Sequence, residues 1–243
     1  MGFGSCVLMR DLDFSIRAGE VFVIMGGSGC GKSTLLRHFL GLQEPLAGDI
    51  EFYGENFTHA AEEDRIRMLR RTGVLFQTGA LWSSMTLAEN VAVALQEFTD
   101  LSPKDIREVA SLKLALVGLR GFEDYYPSEI SGGMQKRAGL ARAMALDPDI
   151  LFFDEPSAGL DPVSSTLLDR LILQLRDSLG ATIVIVTHEL DSIFTIGTDS
   201  IFLDVETRTM IARGNPRELR DHSEHPNVRR FLHRGRDGTE GAD

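Results

Sequence analysis

One glycine-rich stretch constrains the fold of this chain more than any other part of the sequence. It reads Gly26-Gly27-Ser28-Gly29-Cys30-Gly31-Lys32-Ser33. An apolar run at residues 21–25 precedes it, and a helical pattern at residues 34–40 follows it and stops at Gly41. The order strand, glycine loop, helix is the context in which G-x-x-x-x-G-K-[ST] predicts a phosphate-binding loop. The alternative, a glycine-rich turn that precedes a lysine by chance, is expected in about one per cent of chains of this length.

The residue types in this loop suit the binding of a nucleotide together with Mg²⁺. Glycines let successive backbone N–H groups turn inward and cradle phosphate oxygens, and the N-terminus of the following helix adds partial positive charge. Lys32 is predicted to reach the β- and γ-phosphates, and the Ser33 hydroxyl to ligate Mg²⁺. The residues predicted to bind the nucleotide here are Gly26, Gly27, Ser28, Gly29, Cys30, Gly31, Lys32, Ser33 and Thr34.

Length and charge limit what else the chain can be. Its 243 residues allow one large α/β domain or a domain with an inserted subdomain. A formal net charge of −11 gives no reason to expect general affinity for nucleic acid or anionic lipid. The two cysteines, Cys6 and Cys30, do not suggest a disulfide framework, which fits a reducing cytosol. No apolar run approaches the ~20 residues that span a bilayer, so any membrane role is expected to go through a partner.

Alternating and continuous apolar runs predict the strands. They are expected at residues 12–16, 21–25, 48–53 (before a turn at 54–56), 73–77, 150–153 and 182–186, with a hairpin at 200–212. The runs at 150–153 and 182–186 are continuously apolar, as expected for parallel strands covered on both faces. Between residues 78 and about 143 the strand pattern is absent. This segment is therefore predicted to be a helical insertion in an α/β core.

Two helices are predicted with both a start and a buried face. One begins at Ser102-Pro103, which provide an N-cap and a proline at the first helical position, and the other begins at Asp161-Pro162. The face predicted to be buried in the first comprises Ile106, Val109, Leu112 and Leu116. In the second it comprises Leu167, Leu168, Leu171, Ile172, Leu175 and Leu179.

Polar side chains follow three of the predicted core strands. Asp154 and Glu155 come directly after the run at 150–153, His188 follows the next strand, and Gln77 ends the strand at 73–77. Ligands collect at the carboxyl ends of strands in parallel sheets. Asp154 is predicted to hold Mg²⁺ directly or through water, and Glu155 to deprotonate or orient the attacking water. His188 is predicted to face the γ-phosphate and Gln77 to ligate Mg²⁺ or the water. Taken singly, each could be an ordinary solvated residue.

A second candidate anion site lies at residues 131–135. Ser131, Gly132 and Gly133 precede a helical run at 136–146, so the serine and glycines open a helix whose N–H groups face outward. The alternative is an ordinary N-cap. Because one chain seldom needs two phosphate-type helix starts, a head-to-tail pair of copies is a natural use. This element of one copy would then cover the γ-phosphate bound by the other.

These motifs in this order resemble those of the ATP-binding cassette (ABC) ATPases. Residues 26–33 are similar to Walker A, 131–135 to the signature motif, 150–155 to Walker B and 157–161 to the D-loop, while Gln77 resembles the Q-loop residue and His188 the switch histidine. The resemblance implies an α/β fold of the P-loop NTPase class. It implies a RecA-like core, an antiparallel β-subdomain and an inserted α-helical subdomain.

The resemblance also implies a domain plan. One ABC ATPase domain is expected over residues 1–233, with its core at 1–77 and 144–220, the helical subdomain at 78–143 and a short helix at about 226–233. Residues 234–243 are glycine-rich and charged, and are predicted to form a disordered tail.

The family implies how the nucleotide is enclosed. Two copies would sandwich two ATP molecules between the Walker A loop of one and the signature of the other. The residues that the resemblance adds to the ATP site are Ser131, Gly132, Gly133, Gln135 and Asp161, with Phe3 as the aromatic that stacks on adenine. Asp161 has an alternative role as the N-cap of its helix, and the two roles are compatible. Met134 is read as a conservative variant of the signature motif.

A finer resemblance concerns the transported substrate. Residues 76–86, 127–134 and 226–232 are similar to the ATPase subunit of the Mce-type phospholipid transporters, which maintain lipid asymmetry of the outer membrane. This implies a permease that docks in a groove near the exposed Leu81 and Trp82, an Mce-type lipid-binding protein, and a location on the cytoplasmic face of the inner membrane. The alternative for Trp82 is a place in the core of the helical subdomain. Alternatives are the ATPase of another ABC transporter, for lipoprotein extrusion or solute import, and a soluble ABC ATPase of translation or DNA repair.

Overall fold

The structure, a computed structural model, describes residues 1–3 and 6–233, with only the backbone at position 3. The strands are β1 (Gly2–Phe3), β2 (Cys6–Val7), β3 (Val21–Gly26), β4 (Glu51–Phe52), β5 (Glu55–Asn56), β6 (Thr72–Leu75), β7 (Ile150–Asp154), β8 (Thr182–Val186), β9 (Asp199–Asp204) and β10 (Thr209–Gly214). The helices are α1 (Lys32–Phe39), α2 (Glu62–Leu69), α3 (Leu87–Phe98), α4 (Pro103–Leu116), α5 (Gly132–Ala143), α6 (Pro162–Leu179), α7 (Leu190–Ile196), α8 (Pro216–His222) and α9 (Pro226–His233), with a 3₁₀ turn at Pro127–Glu129.

A six-stranded sheet forms the centre of the molecule, in the order β10-β9-β3-β8-β7-β6. All neighbours are parallel except β10, which pairs antiparallel with β9 in the predicted hairpin. Every residue of β3 and β8 is buried, because helices cover both faces of the sheet. The α/β fold of the P-loop NTPase class is therefore confirmed. Two separate two-stranded sheets, β1-β2 and β4-β5, make up its small antiparallel part.

The segment between β6 and β7 is helical, as the lack of strand pattern indicated. Helices α3, α4 and α5 pack together, and their buried side chains belong to the same apolar cluster as residues of β7 and β8. Their starts follow the capping rules: Thr86 and Glu89 form a reciprocal capping box on α3, and Ser102 accepts from the Asp105 N–H on α4. The subdomain boundaries at 77/78 and 143/144 stay a prediction.

Two predicted helix faces are partly wrong. On α4 the side chains of Leu112 and Leu116 are 57% and 51% exposed, whereas Lys113 and Leu114 are buried. On α6 the end residues Leu167 and Leu179 are exposed while the middle of the predicted face is buried. Apolar spacing alone does not reveal which neighbours a helix meets at its ends, or that an ion pair can bury a lysine.

Two strand predictions also need correction. The alternating segment 12–16 has half-buried apolar side chains as expected, and Phe14 stacks on Phe22 with ring centroids 5.6 Å apart, but it is not a strand. In the small hairpin the turn is at Tyr53-Gly54, and β5 occupies Glu55–Asn56, where the turn had been predicted. Both segments lie outside the main sheet, so side-chain packing decides their conformation.

The helix predicted at about 226–233 is α9. Its Val228, Phe231 and Leu232 are buried against the sheet face that carries Val23 and Met25. Residues 234–243, predicted to be disordered, lie outside the described residues. None of the helices within residues 1–3 and 6–233 is long and apolar enough to cross a membrane.

Candidate functional site

The glycine loop has the backbone geometry that a phosphate cradle needs. It connects the end of β3 to Lys32, the first residue of α1, and Gly26, Gly29 and Gly31 have positive φ values of 150°, 76° and 90°. A Cβ on Gly26 would lie 2.4 Å from the Leu203 carbonyl oxygen, so only glycine fits there. Gly31 caps α1 without a side-chain hydrogen bond, which leaves the first-turn N–H groups of α1 available to an anion.

The Lys32 side chain folds back over this loop. Its Nζ donates to the carbonyl oxygens of Gly26 at 2.9 Å and Gly27 at 3.0 Å. The ammonium group therefore lies beside the N–H groups of the loop, where a bound phosphate would gain a charge-assisted hydrogen bond. Although Cys30 lies within the loop, it is only 1% exposed, and burial raises the pKa of its thiol.

Two of the residues predicted to hold Mg²⁺, Ser33 and Asp154, are in direct contact. The Ser33 hydroxyl donates to Oδ1 of Asp154 over 3.0 Å, although 121 positions separate them in the chain. Burial raises the pKa of Asp154; the hydrogen bond from Ser33 opposes this, and the neighbouring charge of Glu155 adds to it. A hydroxyl and a carboxylate at one point are oxygen donors of the kind that Mg²⁺ prefers, so the residues fit the ion.

Glu155 has an unusual backbone and one free oxygen. Its φ is +48°, a strained value for a non-glycine residue, and its N–H donates to the Val186 carbonyl at 2.8 Å. Oε1 lies 2.8 Å from Nδ1 of His188. Oε2 is buried and has no hydrogen-bond partner among the described residues. Buried oxygens normally have a hydrogen-bond partner. Because Oε2 has none, it is available to accept a hydrogen bond or a proton from a water molecule.

Strand register brings the four polar residues to one edge. Leu75 of β6 pairs with Phe153 of β7, and Phe153 pairs with Ile185 of β8. Gln77 lies two positions after Leu75, and Glu155 lies two positions after Phe153. His188 lies three positions after Ile185. Gln77 and His188 are both exposed. Parallel pairing therefore places Gln77, Asp154, Glu155 and His188 at the carboxyl edge beside the glycine loop.

The signature segment is exposed and makes its hydrogen bonds with its own helix and with the 3₁₀ turn before it. Ser131 caps α5 by accepting from the Met134 N–H at 3.3 Å, and Ser131 and Gly132 are exposed. The Gln135 amide donates to the Pro127 carbonyl at 2.8 Å, which ties the segment to the preceding 3₁₀ turn. Between residues 131–135 and 26–33, both fully described, no hydrogen bond forms.

Asp161 occupies the N-cap role that the sequence left open. Its Oδ1 accepts from the N–H groups of Val163 and Ser164, both at 3.0 Å, and its Oδ2 from the Ser164 hydroxyl at 2.5 Å. These hydrogen bonds, that of the Ser164 side chain above all, lower the pKa of Asp161. Its contact with nucleotide stays a prediction, as does that of Gln135. The side chain of Phe3 lies outside the described residues, so its stacking on adenine also stays a prediction.

A groove opens beside Trp82, between β6, α3 and the end of α5. It has a volume of about 360 Å³, and its lining includes Phe76, Trp82, Phe98 and Arg142. Trp82 is 48% exposed, with the Arg142 guanidinium 5.6 Å from its ring centroid. Leu81, expected to be exposed, is half-buried because it packs against the apolar cluster that includes side chains of α3 and α5.

Two cations of α5 belong to the site and were missed by the sequence analysis. Arg142 donates to the carbonyl oxygens of Gly79 and Ala80, just after Gln77. Lys136 donates to the carbonyl oxygens of Glu155 and Ala158. Basic residues are common on helices, so only their closeness to the signature segment could have drawn attention to them.

A family model described as "ABC transporter" matches residues 9–158 of the chain. The probable ribonucleotide transport ATP-binding protein Mkl of Mycobacterium tuberculosis is 43% identical over 239 residues, 98% of this chain and 66% of that protein. The chain thus spans a little under two thirds of the length of these mycobacterial relatives. The intermembrane phospholipid transport system ATP-binding protein MlaF of Escherichia coli K12 is 38% identical over 229 residues, 94% of this chain and 84% of that protein.

The solved structures that resemble this chain are also ATP-binding cassette proteins. A dimeric post-hydrolysis state of the ATP-binding cassette MJ0796, bound to ADP and Pi, superposes with a TM-score of 0.77 and 27% identity, covering 88% of this chain and 94% of that one. CbiO1 from Clostridium perfringens, part of the transporter complex cbiONQ, superposes with a TM-score of 0.79 and 29% identity, covering 89% of this chain and 85% of that one.

Proposed function

This chain belongs to the ABC transporter family and is one of its ATP-hydrolysing subunits, and we propose that it powers phospholipid transport between bacterial membranes. The main support for phospholipid as the substrate is the match to the E. coli phospholipid-transport relative over 84% of that protein's length. The segments that resemble Mce-type ATPases support the same reading.

A second candidate substrate comes from the mycobacterial relative. It is named as a probable ribonucleotide transport protein and has the higher identity, 43%. The match covers less of that protein, so its remaining third could contribute to what it does. Ribonucleotide transport is therefore the alternative that the substrate experiment has to exclude.

The proposed working unit is a dimer that closes on two ATP molecules. The outward-facing start of α5, together with the lack of hydrogen bonds between residues 131–135 and the glycine loop, supports this arrangement. Ser131, Gly132 and Gly133 of one copy would meet the γ-phosphate held by Lys32 of the other. Asp161, Gln135 and Phe3 are proposed to complete the contacts with nucleotide.

Mg²⁺ and the attacking water are assigned to residues at the sheet edge. Ser33, Asp154 and Gln77 would hold the ion, which supplies charge neutralisation for the phosphates when bound. Glu155 accepts a proton from water through Oε2, while His188 holds Oε1 and orients the carboxylate. The buried position of Oε2 favours proton transfer, because few water molecules compete for it.

ATPase measurements on the full chain test this assignment. Lys32→Ala and Glu155→Gln should each lower the turnover rate by at least about 100-fold. Lys104 and Glu108, an exposed ion pair on α4, provide matched controls as Lys104→Ala and Glu108→Gln, which should leave turnover unchanged. Near-normal turnover in Lys32→Ala or Glu155→Gln would contradict the assignment.

The groove beside Trp82 is proposed as the docking site for a membrane permease, which would hold the chain at the cytoplasmic face of the inner membrane. Trp82→Ala should detach the permease in co-purification and leave ATP binding intact. Tyr53, an aromatic of similar exposure outside the groove, provides the control Tyr53→Ala. A complex that stays assembled and fully active with Trp82→Ala excludes this groove.

The substrate is tested on the membrane complex that co-purifies with the chain. Phospholipid and an Mce-type lipid-binding protein should be found in it, and ATP should drive transfer of fluorescent phospholipid between vesicles. Ribonucleotide uptake driven by ATP, without lipid transfer, would favour the alternative substrate. Loss of both activities in Glu155→Gln distinguishes driven transport from leakage.

A further inference from the structure

Lys136 is a buried cation of α5, the signature helix. Its side chain reaches residues 155–158, the catalytic turn that begins with Glu155. Lys136 lies in the second turn of α5, directly after residues 131–135, and its residue exposure is 7%. Its Nζ donates to the Ala158 carbonyl at 2.7 Å and to the Glu155 carbonyl at 3.3 Å. No carboxylate is paired with it among the ion pairs of the described residues, so backbone oxygens provide its hydrogen bonds.

Keeping an ammonium group at this place has a cost. Burial lowers the pKa of Lys136, although the carboxylates of Glu155 and Glu189 raise it. An apolar side chain of the same length would avoid this desolvation. The interaction with the two carbonyl groups is therefore the specific contribution of the lysine.

Those two carbonyl groups belong to the turn that sets the Glu155 backbone. The Ala158 N–H donates to the Glu155 carbonyl at 3.2 Å, which closes the turn, and Glu155 has its positive φ at the first position. The Glu155 N–H is held from the other side by Val186 of β8. A strained residue keeps its conformation only when its surroundings hold it, and Lys136 supplies that hold from the α5 side.

The signature segment also touches the start of α6, which follows the turn. A Cβ placed on Gly133 would lie 3.2 Å from Oγ of Ser164, and this hydroxyl donates to Asp161. Within one copy, the signature helix thus bonds to the 155–158 turn through Lys136 and lies close to Ser164 of α6 at Gly133.

We propose that Lys136 is a positioning residue that sets the Glu155 backbone and ties it to the signature helix of its own copy. The inference rests on the proposed dimer, in which that signature lies against the nucleotide of the other copy. Lys136 would then link the catalytic carboxylate of one site to the element that senses the other site.

The first test compares three variants of the full chain by steady-state ATPase kinetics. Lys136→Met should lower kcat by about 10- to 100-fold with KM changed less than about three-fold, because a displaced general base affects chemistry rather than binding. Lys136→Arg should recover most of the rate, since a guanidinium also donates to two carbonyl groups.

Lys113→Met is the matched control. Lys113 is the other buried lysine of the helical segment and pairs with Asp147, away from the catalytic turn. This variant should lower the melting temperature and leave kcat within about two-fold. If Lys136→Met keeps normal kcat, or if both variants lose activity only in proportion to their stability, the inference is overturned.

Mixed dimers with two affinity tags show on which copy the lysine acts. When one copy carries Glu155→Gln, only the site with the remaining Glu155 turns over. Lys136→Met on the copy with the active Glu155 should cost the full loss in kcat, and Lys136→Met on the Glu155→Gln copy should change the rate less than about two-fold. The reverse pattern overturns the inference, because Lys136 would then act through the signature on the other nucleotide.

Gel filtration of Glu155→Gln alone separates the inference from the proposed dimer. Glu155→Gln with MgATP should run as a dimer in gel filtration. If it stays monomeric, the proposed dimer is wrong whatever Lys136 does. If the dimer forms and Lys136→Met turns over normally, only the role of Lys136 is wrong.

Discussion

Nδ1 of His188 lies 2.8 Å from Oε1 of Glu155 at the edge of the sheet where β7 and β8 end. The two residues are 33 positions apart, and parallel pairing of their strands brings them together. One carboxylate oxygen is thus held by the imidazole, and the other is left without a partner among the described residues. The contact divides the carboxylate into an anchored oxygen and a free acceptor.

Loss of His188 should therefore disturb chemistry more than binding. His188→Ala is expected to lower kcat by about 10- to 100-fold, because Glu155 loses its orienting contact. ATP affinity, measured separately by equilibrium binding, should change little. His59 forms an exposed pair with Asp49 at 3.0 Å, so His59→Ala is the matched control and should keep normal kcat. A normal kcat in His188→Ala would show that the contact does not serve catalysis.

Asp169 makes stability depend on pH. It is buried on α6, accepts from the Ser192 hydroxyl of α7 at 2.9 Å, and burial raises its pKa from 3.8 to about 6. A raised pKa means that the folded state binds the proton more tightly, so this stabilisation is complete below pH 3.8 and is lost as pH rises through about 6. The full shift corresponds to about 3 kcal/mol.

Asp169→Asn removes this titration and keeps an acceptor for Ser192. The variant should be similar to the wild type near pH 4 and more stable by up to about 3 kcal/mol at pH 7.5. Denaturant unfolding of both proteins at several pH values measures the difference. A difference that stays constant with pH would exclude titration of Asp169 as the cause.

Gly73 has no room for a side chain. A Cβ there would lie 2.0 Å from the Ala143 carbonyl oxygen and 2.8 Å from Cδ2 of Leu151. Gly73→Ala should therefore push β6 away from α5 and destabilise the fold by about 3 kcal/mol. Gly121→Ala, at φ +88° in open space, should cost only about 1 kcal/mol from backbone strain. If urea unfolding shows that both variants lose the same free energy of unfolding, the structure around Gly73 must relax to accommodate the added Cβ.

The two cysteines should react at very different rates. Cys6 is exposed, whereas Cys30 is buried and burial raises its thiol pKa, so few thiolates form and reagents reach them slowly. A colorimetric thiol reagent should titrate one fast group in the native protein and two after denaturation. The fast group should disappear in Cys6→Ser. Two fast thiols in native protein would contradict the buried position of Cys30.

Much of the site could be read from short stretches of sequence. The glycine loop, the acidic pair after an apolar strand and the Ser-Gly-Gly helix start each need only neighbouring residues, because backbone geometry and capping act over a few positions. The apolar strands could be located in the same way. Their residues are buried on both faces, so burial leaves a continuous pattern in the sequence.

Contacts between distant segments left no such pattern. The Ser33–Asp154 hydrogen bond, the Lys136 contacts with the turn at 155–158 and the Arg142 contacts beside Trp82 each join residues from separate elements. The same holds for Lys113, which is buried on α4 while the predicted Leu112 and Leu116 are exposed. Each depends on which elements become neighbours in the sheet and between the helices.

The sequence by itself thus determined the chemistry available to the chain: a phosphate loop, oxygen ligands for Mg²⁺ and a general base. The tertiary structure decided which of these groups are held, exposed or buried, including the free Oε2 of Glu155 and the buried thiol of Cys30. The physical reason is range. Loop conformation and helix starts follow from adjacent residues, whereas burial and hydrogen-bond partners depend on how the whole core packs.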